Sequence, residues 1–206
     1  MKAFVVAGLV GCATVSVPAG TYVIGCADST KCSEPRHEVK LAGFRIDRVS
    51  VTAEDLREWQ IARGIPHIDQ AYIHDELQVG DAYLDEALAY CADHGGSLPT
   101  AEQWEAAGRA SDERIYTWGE EGGSGVGYRS TMFPNSDLGI AYAVLGPHQD
   151  RRAVSGVMDL QFGGFVLVDG IAHSRGGSDV TNYLPITLNR ELGSETMMPF
   201  RCVYPD

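Results

Sequence analysis

The chain has 206 residues, yet no cysteine occurs between Cys91 and Cys202, no two histidines stand four residues apart, and basic side chains are few. Each absence excludes a chemistry. Zinc and related centres need clustered Cys and His ligands. The six histidines, His37, His67, His74, His94, His148 and His173, are instead scattered and read as surface or loop residues. Sixteen Lys and Arg stand against 28 Asp and Glu, a formal net charge of -12. A nucleic acid is therefore not an expected partner, since neutralising phosphates needs a basic excess; the acidity reads as solubility. No Ser-His-Asp arrangement, nucleophile elbow or phosphate loop is present. Gly122-Gly123-Ser124-Gly125 lacks both the lysine and the following helix that a phosphate cradle requires.

What is there points to one loop-rich domain. Hydrophobic residues make up 44% of the chain, enough for a real core at this length, and 24 glycines with nine prolines supply many turns. Met1-Lys2 gives a positive start, and residues 3–11 are apolar or small. That run is too short to span a bilayer, which takes roughly 20 residues, but it suits the core of an export signal. Leu9-Val10-Gly11-Cys12 resembles a bacterial lipobox, in which the cysteine is lipidated and becomes the mature N-terminus. The chain then divides into a signal peptide with lipobox, residues 1–12, and a single domain, residues 13–206. It would sit in the cell envelope or be secreted, touching a membrane only through the lipid on Cys12. A plain secretory signal and an ordinary first strand are the other two readings of this stretch.

With Cys12 as anchor, Cys26, Cys32, Cys91 and Cys202 remain. An even number in an oxidising compartment reads as two disulfides, and four cysteines allow three connectivities. Cys26 and Cys32 flank a short polar loop and suit a local clip, which leaves Cys91 with Cys202. Free buried thiols are the alternative.

Local patterns place the elements. Val15, Val17, Tyr22 and Ile24 mark an opening strand or hairpin arm, broken by Pro18-Ala19-Gly20. Alternation through Val39, Leu41, Phe44 and Ile46 is strand-like. Thr52 caps a helix, with Asp55 at the capping-box position; Leu56, Trp59 and Ile61 or Ala62 form its apolar face, and Gly64 stops it. A second helix begins at Asp81 or Ala82, carries Leu84, Ala87, Leu88 and Cys91 on one face, and ends at His94-Gly95-Gly96. Thr100 caps a third, with Gln103 reaching back. It presents Trp104 and Ala107 on one side, and Glu102, Glu105 and Arg109 mostly on others. Residues 153–160 and 165–168 read as core strands.

The wording of these segments is specific. Leu98-Pro99-Thr100-Ala101-Glu102-Gln103-Trp104-Glu105, Val17-Pro18-Ala19-Gly20-Thr21-Tyr22, Tyr116-Thr117-Trp118-Gly119-Glu120, Arg175-Gly176-Gly177-Ser178 and Phe200-Arg201-Cys202 resemble the sulfatase-modifying-factor family, that of the formylglycine-generating enzyme. The resemblance runs over residues 17–203. It implies an α+β, C-type lectin-like fold of the formylglycine-generating-enzyme type: loop-rich, an antiparallel sheet with about three helices.

The resemblance also locates the family's chemistry. The enzyme oxidises a cysteine of a sulfatase peptide with a copper-binding cysteine pair a few residues after its RGGS, and Cu(I) is a soft ion that needs thiolates. Thr181 and Ile186 fall at those two positions. A calcium site built on an Asn and a Glu falls on Gly163 and Val166, which offer no side-chain oxygen. No catalytic residue, copper, calcium or other cofactor is therefore expected, and residues 165–168 read as a plain buried strand. Trp104 and Trp118 would pack the core, while Arg175 and Arg201 would anchor loops through their guanidinium forks. In lectin-like folds one face docks ligands. Here Asp150, Arg151 and Arg152 with Asp179, Asn182, Tyr183 and Arg190 form the candidate ligand face, for a protein, peptide or glycan. A non-catalytic binding module is the expectation. An oxidoreductase using other residues and an accessory or structural envelope protein are the alternatives.

Overall fold

Strand β1 (Thr14–Val17) pairs antiparallel with β4 (Phe44–Asp47), and β4 pairs antiparallel with β10 (Val203–Pro205). Early and late parts of the chain thus share one three-stranded sheet. Between them lies a hairpin of β2 (Gly20–Ile24) and β3 (His37–Leu41), in which Tyr22 faces Val39. The alternation through residues 39–46 is therefore two strands, split at Ala42-Gly43. The computed structural model describes residues 14–66, 81–109, 114–115, 157, 164–176, 187–192 and 196–206. Cys12 and the whole signal-like stretch, His67, His74, Trp118, residues 122–125, His148 and Gly163 lie outside the described residues, as do residues 153–160 apart from the buried Val157.

Two of the three described helices start where capping predicts, after Thr52 and Thr100. Helix α1 (Ala53–Arg63) is capped by Thr52, whose Oγ1 accepts from Asp55 N at 3.1 Å, and it ends at Gly64 in the left-handed conformation, φ 67°. Its buried face is Ala53, Leu56 and Trp59, whereas Ile61 is 54% exposed and Ala62 is exposed too. Helical periodicity explains the correction: Ile61 lies about 200° around the helix from Trp59. Asp81 and Ala82 do not begin helix α2. They form β5 (Asp81–Ala82), paired with β9 (Met198–Pro199), and α2 runs over Leu84–Asp93. Glu86 Oε2 caps it by accepting from Tyr83 N at 3.1 Å. On α2 the buried set is Ala87, Tyr90 and Cys91, while Leu88 is exposed. Tyr90 lies three residues from Ala87, on the same face; Leu88, one residue on, is turned about 100° away. None of these helices is long and apolar enough to cross a membrane.

Helix α3 (Ala101–Arg109) has the full reciprocal cap: Thr100 Oγ1 accepts from Gln103 N at 3.2 Å and Gln103 Oε1 accepts from Thr100 N at 2.9 Å. The residues just before it are pinned to two sheets. Leu167 N donates to Pro99 O at 2.9 Å, and Ser97 exchanges backbone bonds of 2.9 and 2.8 Å with Val203. Leu167 belongs to β6 (Gly164–Val168), which pairs with β7 (Ile171–Arg175), and β7 pairs with β8 (Asn189–Glu191). Residues 165–168 are thus the buried strand expected, with Phe165 and Val166 almost fully enclosed.

Two hydrophobic clusters share this frame. One gathers Tyr22, Ile24, Phe44, Ile46, Trp104, Val166 and Val203 around α3; the other gathers Leu56, Trp59, Tyr90, Leu98, Phe165 and Phe200 around α1 and α2. Trp104 is wholly buried. Its ring comes so close to Gly164 that a Cβ there would lie 2.8 Å from Cη2, so the first residue of β6 has to be glycine. Both disulfides are formed as the spacing suggested. Cys26–Cys32 closes a six-residue separation with Cα atoms 5.7 Å apart, and Cys91–Cys202 joins α2 to the residue before β10 across 111 positions, with Cα atoms 5.4 Å apart.

Candidate functional site

The most consequential departure from the sequence reading is at Glu105 and Arg109. Both were placed away from the apolar side of α3, yet they are 0% and 1% exposed. Glu105 lies four positions after Ala101 and four before Arg109, on one face of a helix whose residues from Trp104 to Arg109 are all buried. A carboxylate can sit there because its oxygens are all taken. Oε1 accepts from Gly25 N at 2.8 Å and from Arg109 Nη1, and Oε2 accepts from Arg175 Nη1. Arg109 Nη1 also donates to Gly25 O at 2.8 Å, and Arg175 Nη1 to Ala101 O at 3.1 Å. Gly25 has φ 69°, and a Cβ there would run into the carbonyls of Glu34 and Pro35, so glycine is required where the backbone meets this carboxylate. The buried ions thus join α3, the end of β2 and the end of β7. Arg175 is the loop anchor expected of it. The Glu-x-x-x-Arg spacing was the sequence signal that could have revealed the pair.

Arg201 anchors a second corner. Its Nη1 donates to the carbonyls of Asp47 at 3.2 Å and Arg48 at 3.4 Å, its Nη2 donates to Ser50 Oγ at 3.1 Å, and its guanidinium lies 5.3 Å from the centroid of the Trp104 ring. Asp47, also buried, accepts from Cys202 N at 2.7 Å. Burial pushes its carboxyl above the ordinary value, against the opposing pull of the Cys202 N–H and the Arg201 charge.

This raised pKa has a stability consequence. The folded chain holds the Asp47 proton more tightly than the unfolded one, so stability falls as pH rises from the ordinary carboxylate range, about 3.9, through the folded-state value. Asp47→Asn removes that loss. The variant's stability relative to wild type should rise with pH through this window, measured by chemical denaturation at a series of pH values. A difference that stays flat from acid to neutral pH would contradict the assignment.

The residues around Cys26–Cys32 contact both Arg175 and Thr187. β7 ends at Arg175 and the described chain resumes at Thr187; Asp179, Thr181, Asn182, Tyr183 and Ile186 lie between, outside the described residues. The disulfide loop touches both margins. Glu34 Oε1 stands 3.6 Å from Arg175 Nη2, Ser33 N donates to Thr187 O at 3.0 Å, and Thr187 Oγ1 donates to Lys31 O at 2.5 Å. Thr187 is fully buried by these contacts, and sequence reasoning passed over it. Of the candidate ligand face, Arg190 alone is described: it is exposed on β8, opposite Ser174. Asp150, Arg151 and Arg152 lie outside the described residues. A separate open groove of about 390 Å³ lies between Phe44, Gly96 and Tyr204, with Gln103 and Ser97 among its polar lining.

The family's metals do not suit the residues at the corresponding positions. Threonine and isoleucine at 181 and 186 supply no thiolate for copper. Val166, in the calcium segment, is sealed in the core with no side-chain oxygen to offer. Among the described residues no group of three or more His, Cys, Asp or Glu side chains could hold a metal ion.

Short antiparallel sheets and, among the described residues, three helices, locked by the buried Arg109, Arg175 and Arg201, define an α+β scaffold of the C-type lectin-like kind. Residues 10–138, well over half of the chain, match the sulfatase-modifying factor enzyme 1-like domain, and the chain belongs to that family. Solved structures agree at the level of fold. CarF superposes with a TM-score of 0.64 at 14% identity, over 95% of this chain and 98% of its own. PvdO from Pseudomonas aeruginosa gives 0.62 at 18% identity, over 92% and 93%. Treponema denticola variable protein 1 gives 0.65 at 13% identity, over 94% and 95%. No curated protein matches the chain in sequence.

Proposed function

We propose that this chain is a non-catalytic member of its family: an exported module, lipid-anchored through Cys12 or secreted, that binds a protein, peptide or glycan. The observation that carries the reading is the fate of the cysteines. The family positions hold Thr181 and Ile186, and Cys26, Cys32, Cys91 and Cys202 are all engaged in disulfides. No thiolate pair is left for copper, and the module is expected to work without a resident cofactor. The motif words survive for another reason: Glu105, Arg175 and Arg201 hold the scaffold together. Two disulfides suit an oxidising compartment and so favour export. Intact mass of the protein from its own host would show an acylated Cys12 and no alkylatable thiol before reduction. An unprocessed Met1 with free Cys91 and Cys202 would contradict export.

The ligand face is assigned to Asp150, Arg151, Arg152, Asp179, Asn182, Tyr183 and Arg190, of which the exposed Arg190 is the described member. In an acidic chain, the arginines assigned to this face would favour a carboxylate-bearing or otherwise polar ligand through bidentate bonds. Arrayed glycans and peptides would be screened with wild type and with an Arg151→Ala, Arg152→Ala, Arg190→Ala variant. Binding should fall at least about tenfold in the variant with its melting temperature unchanged, the loss expected when a charge-assisted bond of 1.5–3 kcal/mol is removed. Undiminished binding would place the ligand elsewhere.

A further inference from the structure

The two disulfides sit in opposite surroundings. Cys91 and Cys202 are both 0% exposed, in the cluster that holds Tyr90 and Phe200. Cys26 is only half-buried, and the residues between it and Cys32, from Ala27 to Lys31, are all exposed. Solvent-borne thiols can therefore reach one bridge and not the other. The reachable bridge closes the loop that holds Thr187: Lys31 O and Ser33 N, on either side of Cys32, make the two bonds to it across a large separation in sequence. The loop's other contacts are short-range: Asp28 Oδ1 accepts from Thr30 N at 3.0 Å and from Thr30 Oγ1 at 2.6 Å, and Lys31 Nζ stands 3.8 Å from Asp28 Oδ2. Within it, Lys31 N donates to Asp28 O at 2.9 Å, and at its neck Cys26 N donates to Glu34 O at 3.3 Å and Arg36 N to Cys26 O at 3.2 Å.

We propose that Cys26–Cys32 is a thiol–disulfide exchange site for low-molecular-weight thiols, and that its redox state controls the docking of the strand that carries Arg190. A thiolate of glutathione attacks Cys26 Sγ, the more accessible sulfur; a new S–S bond forms and the bond to Cys32 breaks, leaving the electron pair on Cys32 Sγ. A second glutathione thiolate attacks the sulfur of the first, releasing oxidised glutathione and the Cys26 thiolate. Both protein thiolates then take up protons from solvent. Two glutathiones are oxidised and one protein disulfide is reduced. With the loop open, Lys31 O and Ser33 N lose the constraint that aligns them on Thr187, and β8 is released at its first residues. The inference goes beyond the binding proposal, and its readout needs no ligand.

The test uses the whole chain in glutathione redox buffers under native conditions, followed by alkylation, peptide mass and amide exchange. Cys26 and Cys32 should become alkylated as a pair while Cys91 and Cys202 stay joined. Exchange of the Ser33 amide, the donor to Thr187, should accelerate by at least about tenfold, on the scale of the closure entropy of a short loop. A Cys26→Ser, Cys32→Ser variant should show the same acceleration without reductant. The proposal is overturned if the pair resists glutathione until Cys91–Cys202 also opens, or if the Ser33 amide exchanges at the same rate with the bridge open and closed.

Discussion

Glu105→Ala is expected to lower folding stability by about 3–5 kcal/mol, the range for removing one partner of a buried ion pair. The carboxylate is the shared acceptor of Arg109, Arg175 and Gly25 N. Without it, two guanidiniums that are at most 1% exposed keep their charge in the interior and lose their main counter-ion. The coupling need not be strong for the loss to be large. The cost comes from desolvated charge left behind more than from the worth of the bonds themselves. A domain of this size has about 5–15 kcal/mol to lose, so the variant should sit near the edge of folding. Glu105→Gln, which keeps an acceptor but not the charge, should fall between the two. Denaturant titration of all three proteins reads the series. A loss under about 1 kcal/mol for Glu105→Ala would mean that water reaches the network and that its role as scaffold is overstated.

The second large effect is at the long disulfide. Cys202→Ser removes a bridge across 111 positions. Chain entropy puts the closure of a loop that long at about 4–5 kcal/mol, and measured losses for native bridges run at about 2–5 kcal/mol. The site adds to the damage. Cys202 sits between Arg201, which anchors residues 47–50, and β10, and its own backbone N–H is bound by Asp47. The cut therefore frees α2 from the corner that also positions Trp104. Under non-reducing conditions the variant should melt well below wild type. Equal melting temperatures would show that the bridge contributes nothing beyond the packing of Cys91 and Cys202.

Much of the frame was legible in the sequence because it is set by local chemistry. Thr52 and Thr100 as caps, Gly64 and Gly95 as stops, and the strand at residues 165–168 follow from short-range rules. The two disulfides follow from cysteine arithmetic. The larger misses were decided by partners distant in sequence. Asp81-Ala82 became a strand because Met198-Pro199 offers an edge. Glu105 and Arg109 turned inward because Arg175 and Gly25 satisfy them there. Tyr90 was passed over because a polar tip obscured an aromatic body that packs against Trp59, His94 and Phe200. The proposed ligand face rests on an accumulation of arginines, carboxylates and amides in the sequence near the family's catalytic words, and Arg190 is its one member among the described residues.

The buried network gives the family's most specific words a structural role that does not depend on catalysis. Trp104, Glu105, Arg175 and Arg201 are all buried and mutually dependent. Selection for a stable fold alone would keep them, as the proposed replacement of the family's cysteine pair by Thr181 and Ile186 requires. The most direct measurement of this claim is an oxidation assay: the purified chain, loaded with Cu(I), incubated with a cysteine peptide of the sulfatase type under oxygen and followed by mass spectrometry. The account predicts an unchanged peptide and no stoichiometric Cu(I) binding. Catalytic turnover of the cysteine to formylglycine would contradict it and would return the chain to the enzymes of its family.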